Sequence, residues 1–278
     1  MTLQTRKNDL TVYHWNTRNS KPTILWLHGY TMDGSIWEDI WRELPEFAHV
    51  APDLPGHGRS RRFSENESLS SIARSVEEIA REFDARHIVS ISFGGTVGLQ
   101  LGIQVKGFFK SLTVCSAGIG GGPVDLESQA CNRELNQMYI DRGIGTWLTA
   151  RWLQSPPEIF SGLRVRPPIF EKITEVIRQH SWQELADGTM NRISSSQQSK
   201  NQLKNITLPT LVLVGEQDMD SFKRAAEIIR RSIPSASRKY LPGVGHLGLL
   251  EDPGAKAQVL RDFISSVEAM TPNECPNS

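Results

Sequence analysis

Ser92, Asp218 and His246 carry the three functional groups that nucleophilic acyl transfer needs: an alcohol, a carboxylate and an imidazole. Ser92 stands at the end of the apolar run "HIVSIS" and just ahead of the helix-like "FGGTVGLQ". The hexapeptide Ser90-Ile91-Ser92-Phe93-Gly94-Gly95 fits the pattern G-x-S-x-G, in which a serine sits on a sharp strand-to-helix turn, except that serine replaces the first glycine. Such a turn needs small residues two positions either side, because larger side chains would collide as strand and helix close on each other. On its own the hexapeptide is also compatible with a serine that merely ends a strand.

Three other segments add to it. "ILWLHGYTMDGSIW" reads as a buried strand followed by His28-Gly29-Tyr30. Acyl transfer requires two fixed N–H donors for the developing oxyanion, one after the nucleophile and one from the loop after an early strand, and Phe93 and Tyr30 occupy those places. His28 reads as loop support rather than as a base. "LVLVGEQDMD" sets Asp218 just beyond a strand's carboxyl end, where functional groups gather in open α/β sheets; Glu216 and Asp220 are neighbours able to take the same role, and any of the three could simply cap the next helix. "YLPGVGHLGLLEDP" puts His246 in a glycine-bearing loop. The chain order serine, acid, histidine is that of one hydrolase architecture and differs from the two serine-protease orders.

These groups need a scaffold. "LTVYHW", "PTILWLHG", "HVAPDLPG", "HIVSIS", "SLTVCSAG", "PTLVLVGEQD" and "SRKYLPG" read as strands buried on both faces. In "SLSSIARSVEEIAREF" Leu69, Ile72, Val76, Ile79 and Phe83 fall on one helix face. "DSFKRAAEIIRRSI" behaves similarly, and Asp252 and Pro253 open another helix. Strands alternating with helices imply a mostly parallel sheet covered on both faces. The alternation breaks between about Gly118 and Pro209, where helical patterns, a proline-rich turn and the polar return path "RISSSQQSKNQLKNI" suggest a helical insertion.

A chain of 278 residues suits one large α/β domain with an insertion. Acidic and basic residues balance at 31 each, so nothing in the charge points to nucleic acid or an anionic membrane. Cys115, Cys131 and Cys275 lack the spacing of a zinc site or a disulfide framework, and Cys115 reads as a small buried residue. The tail "TPNECPNS" has the composition of a frayed terminus. With no signal-like N-terminus and no membrane-length apolar run, the expected location is the cytoplasm.

"LHGYTMDGSIW", "DLPGHGRS", "SISFGG", "PTLVLVGEQD" and "LPGVGHLGLLEDP", in this order, resemble the landmarks of the α/β-hydrolase superfamily over about Leu10 to Val267. The resemblance implies an eight-stranded, mostly parallel sheet with helices on both faces and a helical cap inserted after the sixth strand. Residues 1–118 and 206–278 would form the core and 119–205 the cap. It gives "DLPGHGRS" no catalytic role; Asp53, His57 and Arg59 would shape a turn. Ser90 in place of glycine, and Ile91 beside the nucleophile, depart from common relatives and argue against assignment to a named subfamily.

The expected function is a serine hydrolase of a small-molecule carboxylic ester, lactone or thioester, acting through an acyl-enzyme and needing neither metal nor organic cofactor. A serine nucleophile disfavours epoxide hydrolase and dehalogenase chemistry. Carbon-carbon bond hydrolysis on the same triad, or a slow ligand-binding sensor of the same fold, are the alternatives. Met138, Tyr139, Trp147, Trp152, Phe160 and Trp182 are candidate pocket walls, though an aromatic at helical spacing also suits internal packing. Arg142, Arg151, Arg164 and Arg166 are candidate contacts for an acidic substrate, with solvated surface charge as the plainer reading. Oligomeric state is not legible.

Overall fold

Burial on both faces marks the strands at the centre of a sheet. In the computed structural model, which describes residues 2–17 and 21–270, the apolar runs become central strands. The strands are β1 (Leu3–Lys7), β2 (Leu10–Trp15), β3 (Thr23–Leu27), β4 (Ala48–Pro52), β5 (Ala85–Ile91), β6 (Ser111–Cys115), β7 (Thr210–Gly215) and β8 (Ala236–Leu241). They form one eight-stranded sheet in the order β1-β2-β4-β3-β5-β6-β7-β8. Only β1/β2 and β2/β4 are antiparallel, so the sheet is mostly parallel, as expected. Every residue of β3, β4, β6 and β7 is buried, the pattern of a sheet covered on both faces. Cys275 and the tail "TPNECPNS" lie outside the described residues.

The helices among the described residues are α1 (Glu38–Arg42), α2 (Leu69–Glu82), α3 (Phe93–Gln104), α4 (Leu126–Arg142), α5 (Thr146–Trp152), α6 (Ser161–Arg164), α7 (Pro167–Arg178), α8 (Thr189–Ser195), α9 (Lys200–Lys204), α10 (Asp220–Ser232), α11 (Gly248–Glu251) and α12 (Pro253–Ala269). Helix α2 opens on a reciprocal Ser68/Ser71 capping box and buries Leu69, Ile72, Val76 and Ile79, the face its spacing dictates. Asp252 caps α12 by accepting from the Ala255 N–H, with Pro253 in the first turn. Helices α4 to α9 fill the interval between β6 and β7 where the alternation lapsed, and the stretch read as a polar return path contains the end of α8 and all of α9. Gln198 ties that path down: its amide donates to Thr96 O at 3.0 Å and its carbonyl oxygen accepts from Gly120 N at 3.0 Å.

Two buried histidines lock the sheet end near β3 and β4. Trp26 Nε1–H donates to His49 Nδ1 at 3.1 Å, which leaves the His49 proton on Nε2 to donate to Leu44 O at 2.9 Å. Leu54 N–H donates to His28 Nε2 at 2.9 Å, so His28 Nδ1 donates to Gly29 O at 2.8 Å. Burial pushes His28 down to about 4 and His49 down to about 3. Burial also lowers His57 and His87, while it raises Asp53 to about 7 and raises Glu251, which act in the opposite sense. The histidines outnumber the acids. An unfolded histidine titrates near 6.5, so as pH falls below that value the unfolded chain binds protons that the folded chain refuses, and stability present above 6.5 is lost toward pH 4 at about 1.4 kcal/mol per unit for each uncompensated histidine. Thermal melts at pH 7.5 and pH 5 should show the lower Tm at pH 5; an equal or higher Tm there contradicts this account.

Candidate active site

Ser92 follows β5 directly and its neighbour Phe93 begins α3, so the chain must reverse within one residue. It does so with Ser92 at φ 52°, ψ −121°, a conformation a side-chain-bearing residue adopts only when its surroundings enforce it. The surroundings are close backbone contacts. A Cβ at Gly94 would fall 2.3 Å from Leu27 O and one at Gly95 would fall 2.5 Å from Ala117 Cβ, so only glycine lets α3 press against the strands. Ser90 takes the place of the first glycine because Gly98, in the second turn of α3, leaves the room: a Cβ at Gly98 would lie 2.9 Å from Ser90 Oγ. The Ser90 hydroxyl donates to Thr113 O at 2.9 Å, so its buried polar atom is satisfied. Gly98→Ala should therefore destabilise by about 1 kcal/mol or more through overpacking, and in a Ser90→Gly background the same change should stabilise, since alanine suits a helix better than glycine. Denaturant unfolding of the four proteins reads this; simple additivity would refute the shared-space explanation.

The structure brings Ser92, His246 and Asp218 together. Ser92 Oγ and His246 Nε2 are 2.9 Å apart, and His246 Nδ1 is 2.9 Å from Asp218 Oδ1. Asp218 Oδ1 also accepts from the Met219 N–H at 2.8 Å. Both Asp218 and His246 are buried, and the Phe222 ring packs on the imidazole with centroids 4.2 Å apart. An ionised Asp218 accepts the Nδ1 proton, which leaves Nε2 free to accept from the Ser92 hydroxyl. The two neighbouring acids point elsewhere: Glu216 Oε2 accepts from Gly243 N at 3.3 Å, and Asp220 is exposed beside Lys223.

Phe93 is the first residue of α3, so its N–H is one of the first-turn donors that has no intrahelical acceptor. The Gly29-Tyr30 loop runs past the serine, with an imagined Gly29 Cβ 3.4 Å from Ser92 Cβ. That loop is pinned from the insertion. Tyr30 Oη donates to Glu184 Oε1 at 2.5 Å, and Trp152 Nε1–H donates to Thr31 Oγ1 at 2.8 Å, where Thr31 itself sits at φ 66°. His180 Nε2 also meets Glu184 Oε1, at 2.9 Å. Burial pushes the Glu184 carboxyl up, but the hydrogen bonds from His180 and Tyr30 more than offset it and hold it below its ordinary value. The Tyr30 phenol, buried and beside that carboxylate, is raised well above its ordinary value.

His28 has both ring nitrogens committed to backbone, and in "DLPGHGRS" Asp53 accepts from Gly34 N at 2.8 Å and Arg59 N at 2.9 Å, which shapes the turn. His57 is buried instead against Phe93 and His180, with ring centroids at 5.9 and 5.2 Å. Burial raises the Cys115 thiol to about 12, which removes it as a nucleophile at neutral pH. Among the described residues no group of His, Cys, Asp and Glu has the makeup of a metal site, and no helix is long and apolar enough to cross a membrane.

Ser92 and His246 open into a cavity of about 720 Å³ between the sheet end and α4, α5 and α8. Met32, Trp152, Ile159, Phe222 and Leu247 supply apolar wall. The outer wall is polar, because Ser128, Gln129, Asn132, Arg133 and Asn136 share one face of α4 at helical spacing and turn it toward the cavity. Of the aromatic and methionine walls expected from sequence, only Trp152 reaches this space, and Tyr139 lines a second hollow that shares Glu184 with it. Met138, Trp147, Phe160 and Trp182 line neither. Trp182 is buried against His180 at 4.9 Å, Phe160 packs on Trp152 at 6.0 Å, Trp147 donates to Gly143 O and lies under Arg142, and Met138 packs into the same apolar cluster. Arg142 is thus occupied, as are Arg151 on Glu134, Arg164 on Leu153 O and Arg166 beside Glu251; Arg133 is the cationic residue in the cavity wall.

Comparisons with known proteins agree with this architecture. Monoacylglycerol lipase abhd6-A of Xenopus laevis is 27% identical over 267 residues, covering 92% of this chain and 79% of the relative. Pimeloyl-[acyl-carrier protein] methyl ester esterase of Nitrosomonas europaea is 23% identical, covering 92% of this chain and 98% of the relative. The solved structure of a thermophilic esterase from Thermogutta terrifontis superposes with a TM-score of 0.77 at 22% identity, over 96% of this chain and 99% of the other. Since the sequence model of the alpha/beta hydrolase family matches residues 24–259, most of the chain, the protein belongs to the alpha/beta hydrolase family and is an enzyme of that fold.

Proposed function

We propose that the protein is a serine hydrolase of small-molecule carboxylic esters, lactones or thioesters. The observation that carries this reading is the unbroken hydrogen-bonded chain from Ser92 Oγ through His246 to buried Asp218, opening into a cavity of drug-like size. His246 takes the Ser92 proton as the hydroxyl attacks the carbonyl carbon, and Asp218 stabilises the resulting imidazolium. The oxyanion is received by the N–H groups of Tyr30 and Phe93, each worth about 3 kcal/mol of barrier by the usual magnitude for such donors. The imidazolium returns its proton to the leaving alcohol or thiol, and His246 then activates water to release the acid and free serine.

Residues 119–205 serve as a cap over the remaining 1–118 and 206–278 core, with α4 and α8 as the substrate-facing walls. The polar face of α4 favours a substrate whose part distant from the scissile carbonyl carries hydrogen-bonding groups, and the nearer apolar wall receives the rest. The substrate is a small molecule handled without nucleic acid, metal or organic cofactor, and the site of action is the cytoplasm. The test is an activity screen across short and long acyl esters, lactones and acyl thioesters, joined to fluorophosphonate labelling located by peptide mapping. Turnover with the label on Ser92 supports the reading; label elsewhere, or tight binding with no turnover, favours a ligand sensor on the same fold and overturns it.

A further inference from the structure

Glu251 ends α11, five residues beyond His246, and its carboxylate is fully buried. Its two oxygens are spent on the backbone either side of that histidine: Oε2 accepts from the Gly245 N–H at 2.8 Å and Oε1 accepts from the Leu247 N–H at 3.2 Å. One carboxylate therefore grips the backbone N–H groups of both residues that flank the imidazole-bearing one. The loop it grips also packs on the strand that leads to Asp218, since a Cβ at Gly215 would fall 2.1 Å from Gly245 O.

The other side of the carboxylate faces the insertion. A Cβ at Gly162 of α6 would lie 1.9 Å from Glu251 Oε2, so the insertion's backbone is in direct contact. Arg166 Nη1 stands 3.6 Å from the same oxygen, and the Arg166 guanidinium also donates to Gly162 O and, at 3.4 Å, to Gly243 O. The guanidinium so links α6 to the loop before His246. A buried carboxylate is costly unless it is paired and hydrogen-bonded, and here both conditions are met by groups from two separate parts of the chain.

We propose that Glu251 is a positioning residue for His246, and that through Gly162 and Arg166 it makes the Ser92–His246 contact depend on the seating of the insertion. The proposal rests on the serine-hydrolase reading above. Glu251 touches neither substrate nor the reacting atoms; it acts by holding Nε2 within hydrogen-bonding reach of Ser92 Oγ. Misplacement of a catalytic group by about 1 Å costs on the order of 100-fold in rate. Glutamine at 251 keeps one acceptor but sets an amide N–H against one of the two backbone donors, which releases one side of the grip.

The experiment uses the full chain and p-nitrophenyl butyrate, with Glu251→Gln, His246→Ala and the double variant. Expected are a fall in kcat of about 100-fold for Glu251→Gln with KM changed less than about threefold, and a double variant no slower than His246→Ala alone. A residue that acts only through His246 has nothing left to lose once the imidazole is gone. Glu251→Gln indistinguishable from the unaltered protein, while His246→Ala is inactive, overturns this inference alone; so does a double variant slower than His246→Ala by the full Glu251→Gln factor. His246→Ala with undiminished turnover overturns the hydrolase reading and this inference with it. If Glu251→Gln does not fold cooperatively, Gly162→Ala and Arg166→Gln ask the same question from the insertion's side. A selective drop in kcat in both supports the coupling, and unchanged kcat in either sinks it.

Discussion

Ser92→Ala should lower hydrolysis of a p-nitrophenyl ester by about 10⁴- to 10⁶-fold, abolish fluorophosphonate labelling and leave the fold intact. The size of the loss follows from the proposed mechanism, in which no acyl-enzyme forms without the hydroxyl and only the oxyanion donors acting on water remain. Alanine keeps the Cβ, so the backbone at φ 52° stays as strained as before and Tm should hardly move. Ser92→Gly separates the two effects. Glycine accepts that conformation without penalty, so this variant should be equally inactive yet more stable by about 1 kcal/mol or more, readable by denaturant unfolding. Residual esterase activity in Ser92→Ala within tenfold of the unaltered protein would remove the serine from the mechanism.

His246→Ala should cost nearly as much as Ser92→Ala, and the two together no more than either, because in the proposed mechanism the hydroxyl and the imidazole operate as one unit. Asp218→Asn should cost about 10⁴-fold, since an amide facing Nδ1 favours the tautomer that puts a proton on Nε2, where the serine needs an acceptor. Glu216→Gln and Asp220→Asn should each stay within about threefold of normal, because exposed charges that do not touch the imidazole change little. Their positions decide this: Glu216 is engaged with the Gly243 N–H and Asp220 is exposed beside Lys223, whereas Asp218 Oδ1 lies 2.9 Å from the imidazole. Steady-state kinetics on the four variants distinguishes the acids, and a larger loss for Glu216→Gln than for Asp218→Asn would reassign the role.

The central strands were legible because a strand buried on both faces is predominantly apolar and β-branched, as "TILWL" of β3, "HIVSI" of β5, "SLTVC" of β6 and "TLVLVG" of β7 are. Strand β1 was not, because "LQTRK" is a largely exposed edge with no apolar face to betray it. Its signal lay in Asn8-Asp9, which take φ 47° and 61° and turn β1 directly back into β2. The hydroxyl, imidazole and carboxylate could be picked out because each sits in a local pattern tied to a strand end. Glu251 and Glu184 could not: their near partners are backbone N–H groups and one histidine that form no side-chain pattern, and their burial depends on Gly162, Arg166 and Tyr30 far along the chain. The cavity walls misled for a related reason. Trp182 and Trp147 are consumed by packing within the insertion, and a polar stripe on α4 looks the same in sequence whether it borders bulk water or a substrate cavity.

The exchange of a serine for a glycine before the turn, matched by Gly98 across the crossing, has a meaning for how such turns are recognised. A Cβ at position 98 would meet the Ser90 hydroxyl, so the two positions share one space, and the expected rule is that one can grow only if the other stays small. A search keyed on a glycine two residues ahead of the nucleophile passes over a chain built this way, whereas one that scores the pair in space retains it. The same exchange gives an engineer a hydroxyl anchored on Thr113 O two residues ahead of Ser92, a handle that the all-glycine version of the turn does not offer.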